Sequence, residues 1–287
     1  MVGRAGGSVF VLTDYGLADE FAGVLRASLA RHAPGVPIID LTHGVAPFDV
    51  RAGALTLVRA VPHLGPGVVM AVVDPGVGTS RRAIAVSVSA SVQTSASDVT
   101  DGGPHHFVGP DNGLLLWAVD VLGGVERAVE ISPPPPKDTG ATFDGRDVFA
   151  PAVARLWRGV PLEELGDPLD PSALVRLTPP RSSVSPGVLE VEVQWVDRFG
   201  NVQLAAGPDH AAEAALGSDL EVSGPTTTRR ANVVRAFAAV APGAMGLIVD
   251  ANGQLSLVCD RQSAATVLRV QPGDVVTLRA VVSGRPS

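Results

Sequence analysis

Three apolar runs in the first half of this 287-residue chain give way to segments that carry an acid: VFVLT to Asp14, PII to DLTH at 40–43 and MAVV to Asp74. A carboxylate at a strand end, ahead of a short loop, is where open α/β sheets place ligand groups. For Asp14 the structural alternative is an acid capping the following helix. The segment VVDPGVGTSRR, residues 72–82, adds a proline, glycines and the pair Arg81 and Arg82. Its glycines let backbone approach a ligand closely, and an ion pair between Asp74 and Arg81 would keep the carboxylate ionised and aimed. As structure alone, the segment is a turn with solvated arginines.

Further acids sit in loops downstream. In TFDGRDVFAP, residues 142–151, Asp144, Arg146 and Asp147 precede an apolar helical run, where backbone amides favour anions. Arg146 and Asp147 can satisfy each other, whereas Asp144 has no local partner. In WVDRFGNVQL, residues 195–204, Asp197, Phe199 and Asn201 alternate. On a strand they would share one face able to grip an amino-acid head group; the alternative is a turn at FGN. GPDNG, residues 109–113, reads as a helix start with Asp111 or Asn112 as cap. His43 in LTHG is a core or loop histidine, or a site group. No G-x-G-x-x-G follows the first strand, no Walker loop or H-E-x-x-H occurs, and the six histidines are scattered, so neither a metal nor a bound cofactor is expected.

The elements that must hold these groups are legible in outline. Strand-like SVFVL, VPIIDLTH and GVVMAVVD alternate with helical DEFAGVLRASLARHA and VRAGALTLVRAVPHL. This predicts an α/β N-terminal domain with a mostly parallel sheet covered on both faces, its loops sharing one edge. Residues 87–103 are small and polar and read as a hairpin excursion or mobile loop. The prolines at 133–136 read as a stiff connector, leading to a helix from about Val148 to Trp157. LTPPRSSVSPG, residues 177–187, reads as an interdomain linker, giving domains of 1–180 and 181–287. In the second, VLEVEVQWVD alternates with period two, and Asn252-Gly253 joins two strand-like runs. That predicts a smaller all-β, barrel-like C-terminal domain ending near the turn at 271–274.

Composition narrows the function. Acidic residues outnumber basic ones by 29 to 22, a net charge of -7, which disfavours a phosphate-tracking surface and hence a nucleic-acid partner. The longest apolar stretch, 236–249, is interrupted by Pro242, Gly243 and Gly246 and is too short to span a bilayer. No export signal is visible at the N-terminus. The single cysteine, Cys259, forms no internal disulfide and fits a buried strand position. A cytoplasmic protein without a membrane partner is expected.

Taken in order, TDYG, DLTHGVAPFD, VVDPGVGTSRR, FVGPDNG, TFDGRDVFAP and WVDRFGN resemble the S-adenosylmethionine hydroxide adenosyltransferases, relatives of the bacterial fluorinase and chlorinase. The likeness spans most of the chain. It implies an α/β domain followed by a β-barrel, a homotrimer with ligand between subunits, and attack on the 5′ carbon of S-adenosyl-L-methionine with release of methionine. Halogenases of this group carry a tyrosine-containing segment where this chain reads DPGVG, so Asp74 points to the water-using branch. That branch places an aspartate, an arginine and a histidine near the reacting water. Asp74 and Arg81 match the first two, while Asp144 stands where those enzymes read FHGRD.

The resemblance further implies that Asp14 accepts the ribose hydroxyls, that Asp197 and Asn201 bind the methionine moiety with Asp197 facing the ammonium group, and that Phe48 and Phe199 lie beside the nucleoside. Ala251 and Asn252 occupy positions where halogenases have a serine and an arginine. The expected activity is hydrolysis of S-adenosyl-L-methionine to adenosine and L-methionine. The alternatives are a non-catalytic nucleoside or S-adenosylmethionine binding protein, and an adenosyl halide synthase that needs halide.

Overall fold

In the computed structural model, the described residues are 7–88, 105–132, 140 and 142–281. The chain divides into two compact units between Leu177 and Thr178.

The first unit is a layered α/β domain. Its strands are β1 (Ser8–Thr13), β2 (Ile38–Thr42), β3 (Gly67–Val72), β4 (Ala83–Val88), β5 (His106–Pro110), β6 (Val125–Ile131) and β7 (Gly166–Leu169), in the spatial order β2-β1-β3-β5-β4-β6-β7. Strands β2, β1, β3 and β5 pair in parallel. Strands β4 and β7 run against their neighbours, so the sheet is mostly parallel in strand direction. Because β1 and β3 lie next to each other in register from Ser8↔Gly67 to Thr13↔Val72, the loops carrying Asp14 and Asp74 leave the same sheet edge.

Helices cover both faces. Helix α1 (Phe21–His32) buries Leu25 and Leu29, one turn apart, and α4 (Ala150–Trp157) buries Val153 and Leu156. These side chains share a core with Val9, Val11, Val68 and Met70. Helix α2 (Val50–Ala60), capped by Asp49, whose carboxylate accepts from Ala52 N at 2.8 Å, packs with α3 (Leu116–Val121) on the other face. There a Cβ on Gly53 would lie 2.7 Å from Leu114 Cδ1 and 3.1 Å from Val73 Cγ2. Only glycine lets α2 settle that closely on the sheet.

One sequence expectation changes in this unit. The segment before α4 is not a loop: residues Gly145–Phe149 form a π-helical turn continuous with the helix. As the hairpin reading expects, the chain on either side of the polar excursion pairs antiparallel as β4 and β5, while residues 89–104 and the proline run at 133–136 fall outside the described residues.

The second unit is a closed β-barrel of seven strands. Strands β9 (Val188–Val196), β10 (Val202–Leu204), β14 (Leu255–Cys259), β13 (Met245–Val249), β12 (Thr228–Val233), β11 (Asp219–Ser223) and β15 (Val275–Ala280) follow in ring order, and the β10–β9 pairing closes the ring. Strand β8 (Ser182–Ser185) pairs outside β9. Part of the proline- and serine-rich stretch expected to be a linker is therefore strand. The chain also runs past the turn at 271–274 into β15, which bridges β9 and β11 and is needed for closure. Leu189, Val191, Val193, Leu220, Val222, Leu257 and Leu278 fill the interior. Short helices α5 (Pro208–Glu213) and α6 (Ala264–Leu268) decorate the barrel. The Asn252-Gly253 hairpin forms as expected, with Gly253 at φ 74° and the Asp250 carboxylate accepting from Asn252 N at 2.8 Å.

Candidate active site

The loop after β3 folds back on itself. Val77 N donates to Asp74 O at 3.3 Å and Thr79 N to Gly76 O at 3.2 Å, and a Cβ on Gly76 would sit 3.3 Å from that of Arg81. This tight return lays Arg81 on Asp74. Arg81 Nε donates to Asp74 Oδ1 at 3.1 Å, Nη2 closes a second bond to Oδ2, and Gly76 N adds a third donor at 3.2 Å. A bidentate guanidinium–carboxylate pair of this kind fixes orientation as well as charge. The far end of the loop is clamped separately. Arg82 pairs with the buried Asp111 and donates to Ala173 O at 2.7 Å, and Asn112 Nδ2 donates to Val73 O at 2.8 Å. Asp111 and Asn112 thus brace the loop, and Asn112 also accepts from Leu114 N at 3.2 Å.

Asp144 arrives from the π-helical turn. Its Oδ2 accepts from Arg81 Nη2 at 2.6 Å, so one guanidinium holds two carboxylates. All three side chains are largely shielded, with exposures of 9% for Arg81, 6% for Asp74 and 19% for Asp144. Burial pushes the Asp74 carboxyl above its ordinary range. The Arg81 charge and the hydrogen bonds from Arg81 and Gly76 pull it back, and the neighbouring Asp144 pushes it up again. Phe149, the last residue of the turn, lies beneath Arg81, 5.5 Å from ring centre to guanidinium carbon. Arg146 and Asp147 do pair with each other, at 3.1 and 2.6 Å. Ser28 Oγ ties the turn to α1 by donating to Arg146 O at 3.0 Å.

Asp14, beyond β1, accepts from Phe48 N at 2.8 Å. Phe48 is held at φ 67°, a left-handed conformation costly for a non-glycine residue, and its ring is exposed. The structural alternative for Asp14, a helix cap, is not what forms: α1 begins at Phe21 after Glu20, without a side-chain cap. The buried His43 supports the turn instead. Thr13 Oγ1 meets His43 Nδ1 at 2.8 Å and accepts from Tyr15 N at 3.1 Å, while Gly16 N donates to His43 O at 2.7 Å.

A cavity of about 280 Å³ joins these groups, lined by Asp14, Phe48, Asp74 and Asp144 together with Tyr15, Phe21 and Phe143. The last three went unnoticed in the sequence. They form an aromatic cluster with centroid separations of 5.4 to 6.1 Å. The available signal was compositional, since aromatics make up only 4% of the chain and Tyr15 is its single tyrosine. Among the described residues, no group of three or more His, Cys, Asp or Glu side chains is arranged to hold a metal ion.

In the barrel unit, Asp197, Phe199 and Asn201 occupy the turn between β9 and β10 and are not on a strand. Asp197 Oδ1 accepts from Phe199 N at 2.8 Å and Asn201 N at 2.9 Å, and Oδ2 accepts from Asn201 Nδ2 at 2.7 Å. Gly200, at φ 83°, permits the turn. The FGN turn therefore replaces the shared strand face. The three residues still line one cavity, of about 600 Å³, with Phe237, Arg261 and Ser263.

Comparison with known proteins follows the same two units. The family model for the SAM hydroxide adenosyltransferase N-terminal domain matches residues 9–166, and that for the C-terminal domain matches residues 191–277. The chain is 44% identical over 270 residues to the (R)-S-adenosyl-L-methionine hydrolase of Salinispora tropica, covering 93% of this chain and 96% of that one. It is 31% identical over 205 residues to a fluorinase of an Actinoplanes species, covering 67% and 68%. A conserved protein of Thermotoga maritima, known by its crystal structure, superposes with a TM-score of 0.83 at 33% identity, covering 94% of this chain and 99% of that one.

Proposed function

The chain belongs to the SAM hydroxide adenosyltransferase family, and from that premise we propose that it hydrolyses S-adenosyl-L-methionine to adenosine and L-methionine. The observation that carries this reading is that Asp74 and Asp144, both held by Arg81, line the cleft that also holds Asp14. The substrate is a sulfonium, so its leaving group departs as a neutral thioether and needs no Lewis acid. What remains for the protein is to supply water in line with the carbon–sulfur bond.

In the proposed reaction, Asp74 accepts a proton from the water as its oxygen bonds to the 5′ carbon. The carbon–sulfur pair of electrons leaves with methionine. Arg81 holds the carboxylate in place and offsets its charge, and Asp144 takes the place of a histidine as the second group orienting water. Holding water in line within a shielded pocket contributes up to ~7–11 kcal/mol, and a positioned base a further ~100- to 10,000-fold. Asp14 receives the ribose hydroxyls through the oxygen lone pairs that Phe48 N leaves open, with the Phe48 ring beside the nucleoside. Asp197 and Asn201 form the methionine-side contacts, with Asp197 facing the ammonium group, and Phe199 lies beside the nucleoside. The crowd of carboxylates around a single guanidinium suits a cationic substrate and disfavours a halide. We assign the protein to the cytoplasm as a homotrimer without a nucleic-acid partner.

Chromatography after incubation with S-adenosyl-L-methionine tests the reading. Equal amounts of adenosine and methionine, formed without halide, are expected. Stabilisation by ligand without product would mark a binding protein, and a halogenated adenosine formed only with added halide would mark a halogenase.

A further inference from the structure

Tyr15 has chemistry that the roles above leave unused. Its ring is wedged edge-on against Phe143, with centroids 5.6 Å apart, and its hydroxyl abuts the π-helical turn that carries Asp144. The fit there is close: a Cβ on Gly145 would stand 2.3 Å from the phenol oxygen. The missing side chain at Gly145 is what makes room for the hydroxyl. Tyr15 lines the same cavity as Asp14, Asp74 and Asp144, and the charges of all three carboxylates act on it. No described residue takes the phenol proton in a hydrogen bond. Burial first, and then those three charges, push its acidity far below that of an ordinary phenol, so it remains a protonated donor.

We propose that the Tyr15 hydroxyl is a further catalytic group of this site, donating a hydrogen bond to the attacking water. The inference rests on the hydrolase reading given above. A water molecule has four tetrahedral hydrogen-bonding directions. If Asp74 and Asp144 accept its protons and Tyr15 donates to one lone pair, the remaining lone pair has a single direction left, toward the 5′ carbon. Tyr15 neither gains nor loses a proton in the step: the water proton passes to Asp74, the new carbon–oxygen bond forms, and the sulfur departs with its electron pair. A phenol this reluctant to ionise orients the water without protonating it. The ring does a separate job by packing the aromatic cluster, and phenylalanine would preserve that job.

Tyr15→Phe separates the two jobs. With wild-type protein releasing adenosine and methionine, the expected result for Tyr15→Phe is a kcat about tenfold lower, as for loss of one oriented hydrogen bond. KM should stay within about threefold and the melting temperature should be unchanged, because a transition-state contact is lost while binding and packing remain. The acid limb of its pH profile should stay in place, since Asp74 remains the base. A kcat equal to wild type in the folded Tyr15→Phe protein would overturn the assignment while leaving the hydrolase reading intact. A rise in KM alone would also overturn it, by making the hydroxyl a binding contact. Wild-type protein that gives no product would remove the hydrolase reading and this role with it.

Discussion

At the scale of single residues, the decisive feature is one guanidinium shared by two carboxylates. Asp74 is raised above the ordinary carboxylate range by burial first and by Asp144 as a lesser contributor. Activity that needs ionised Asp74 should therefore fall as pH drops through that raised value. Asp144→His removes one of the raising charges, so its kcat/KM profile should keep its shape with the acid limb moved to lower pH, and its turnover should be equal or higher. A large fall in turnover would show that Asp144 does more than replace a histidine. Asp74→Asn should lose turnover yet still bind substrate, as measured by calorimetry. The same shift bears on stability. The folded protein holds the Asp74 proton more tightly than the unfolded chain does, so stability falls as pH rises through the window between the ordinary and the raised value. Denaturant midpoints of the wild-type protein measured across that window should show this fall. The pairing of Asp74 with Arg81 was legible in the sequence because both lie in one short glycine-bearing loop. Asp144 lies 63 residues from Arg81, and no local spacing could have joined them; its lack of a local partner and its place in a family motif were what marked it.

At the scale of elements, glycines decide whether the loops hold their shape. Gly200 sits at φ 83° where a Cβ would come within 2.2 Å of Ser263 Oγ and 2.6 Å of its Cα. Gly200→Ala should destabilise the barrel by roughly 1–3 kcal/mol or more from backbone strain alone, read as an earlier denaturant midpoint with unchanged slope. Gly145→Ala acts on the other unit. It drives Tyr15 out of its seat, and turnover should fall, with a smaller loss when the same change is made in the Tyr15→Phe background because the clashing oxygen is gone. Buried strands β1 and β3 and helices α1 and α2 were plain from apolar periodicity, which is a local signal. The role of β15 in closing the barrel and the π-helical turn before α4 depend on pairings and contacts distant in sequence. For WVDRFGN, alternation suggested a strand, but Asp197 binds the backbone of its own loop and the turn prevails.

At the scale of the molecule, each unit carries a cavity with aromatic rings exposed beside it: Phe48 in the first, Phe199 and Phe237 in the second. Exposed aromatics clustered at clefts suit burial against a partner, which supports the proposed trimer. Light scattering on the eluting protein should return three times the chain mass, and a monomer active in hydrolysis would contradict the proposal. The succession of an α/β domain and an all-β domain was readable from the change of pattern along the chain, because a mostly parallel α/β layer and a mostly antiparallel barrel need different residue patterns. The assembly was not, since no local pattern encodes it.

Everything rests on water held by Asp74, whose carboxylate Arg81 braces, attacking the 5′ carbon. Hydrolysis run in heavy-oxygen water and followed by mass spectrometry tests this most directly. Adenosine carrying one heavy oxygen, located at its 5′ hydroxyl, is expected, with methionine unlabelled and Asp74→Asn giving no product. Adenosine without label, or product formed undiminished by Asp74→Asn, would contradict it.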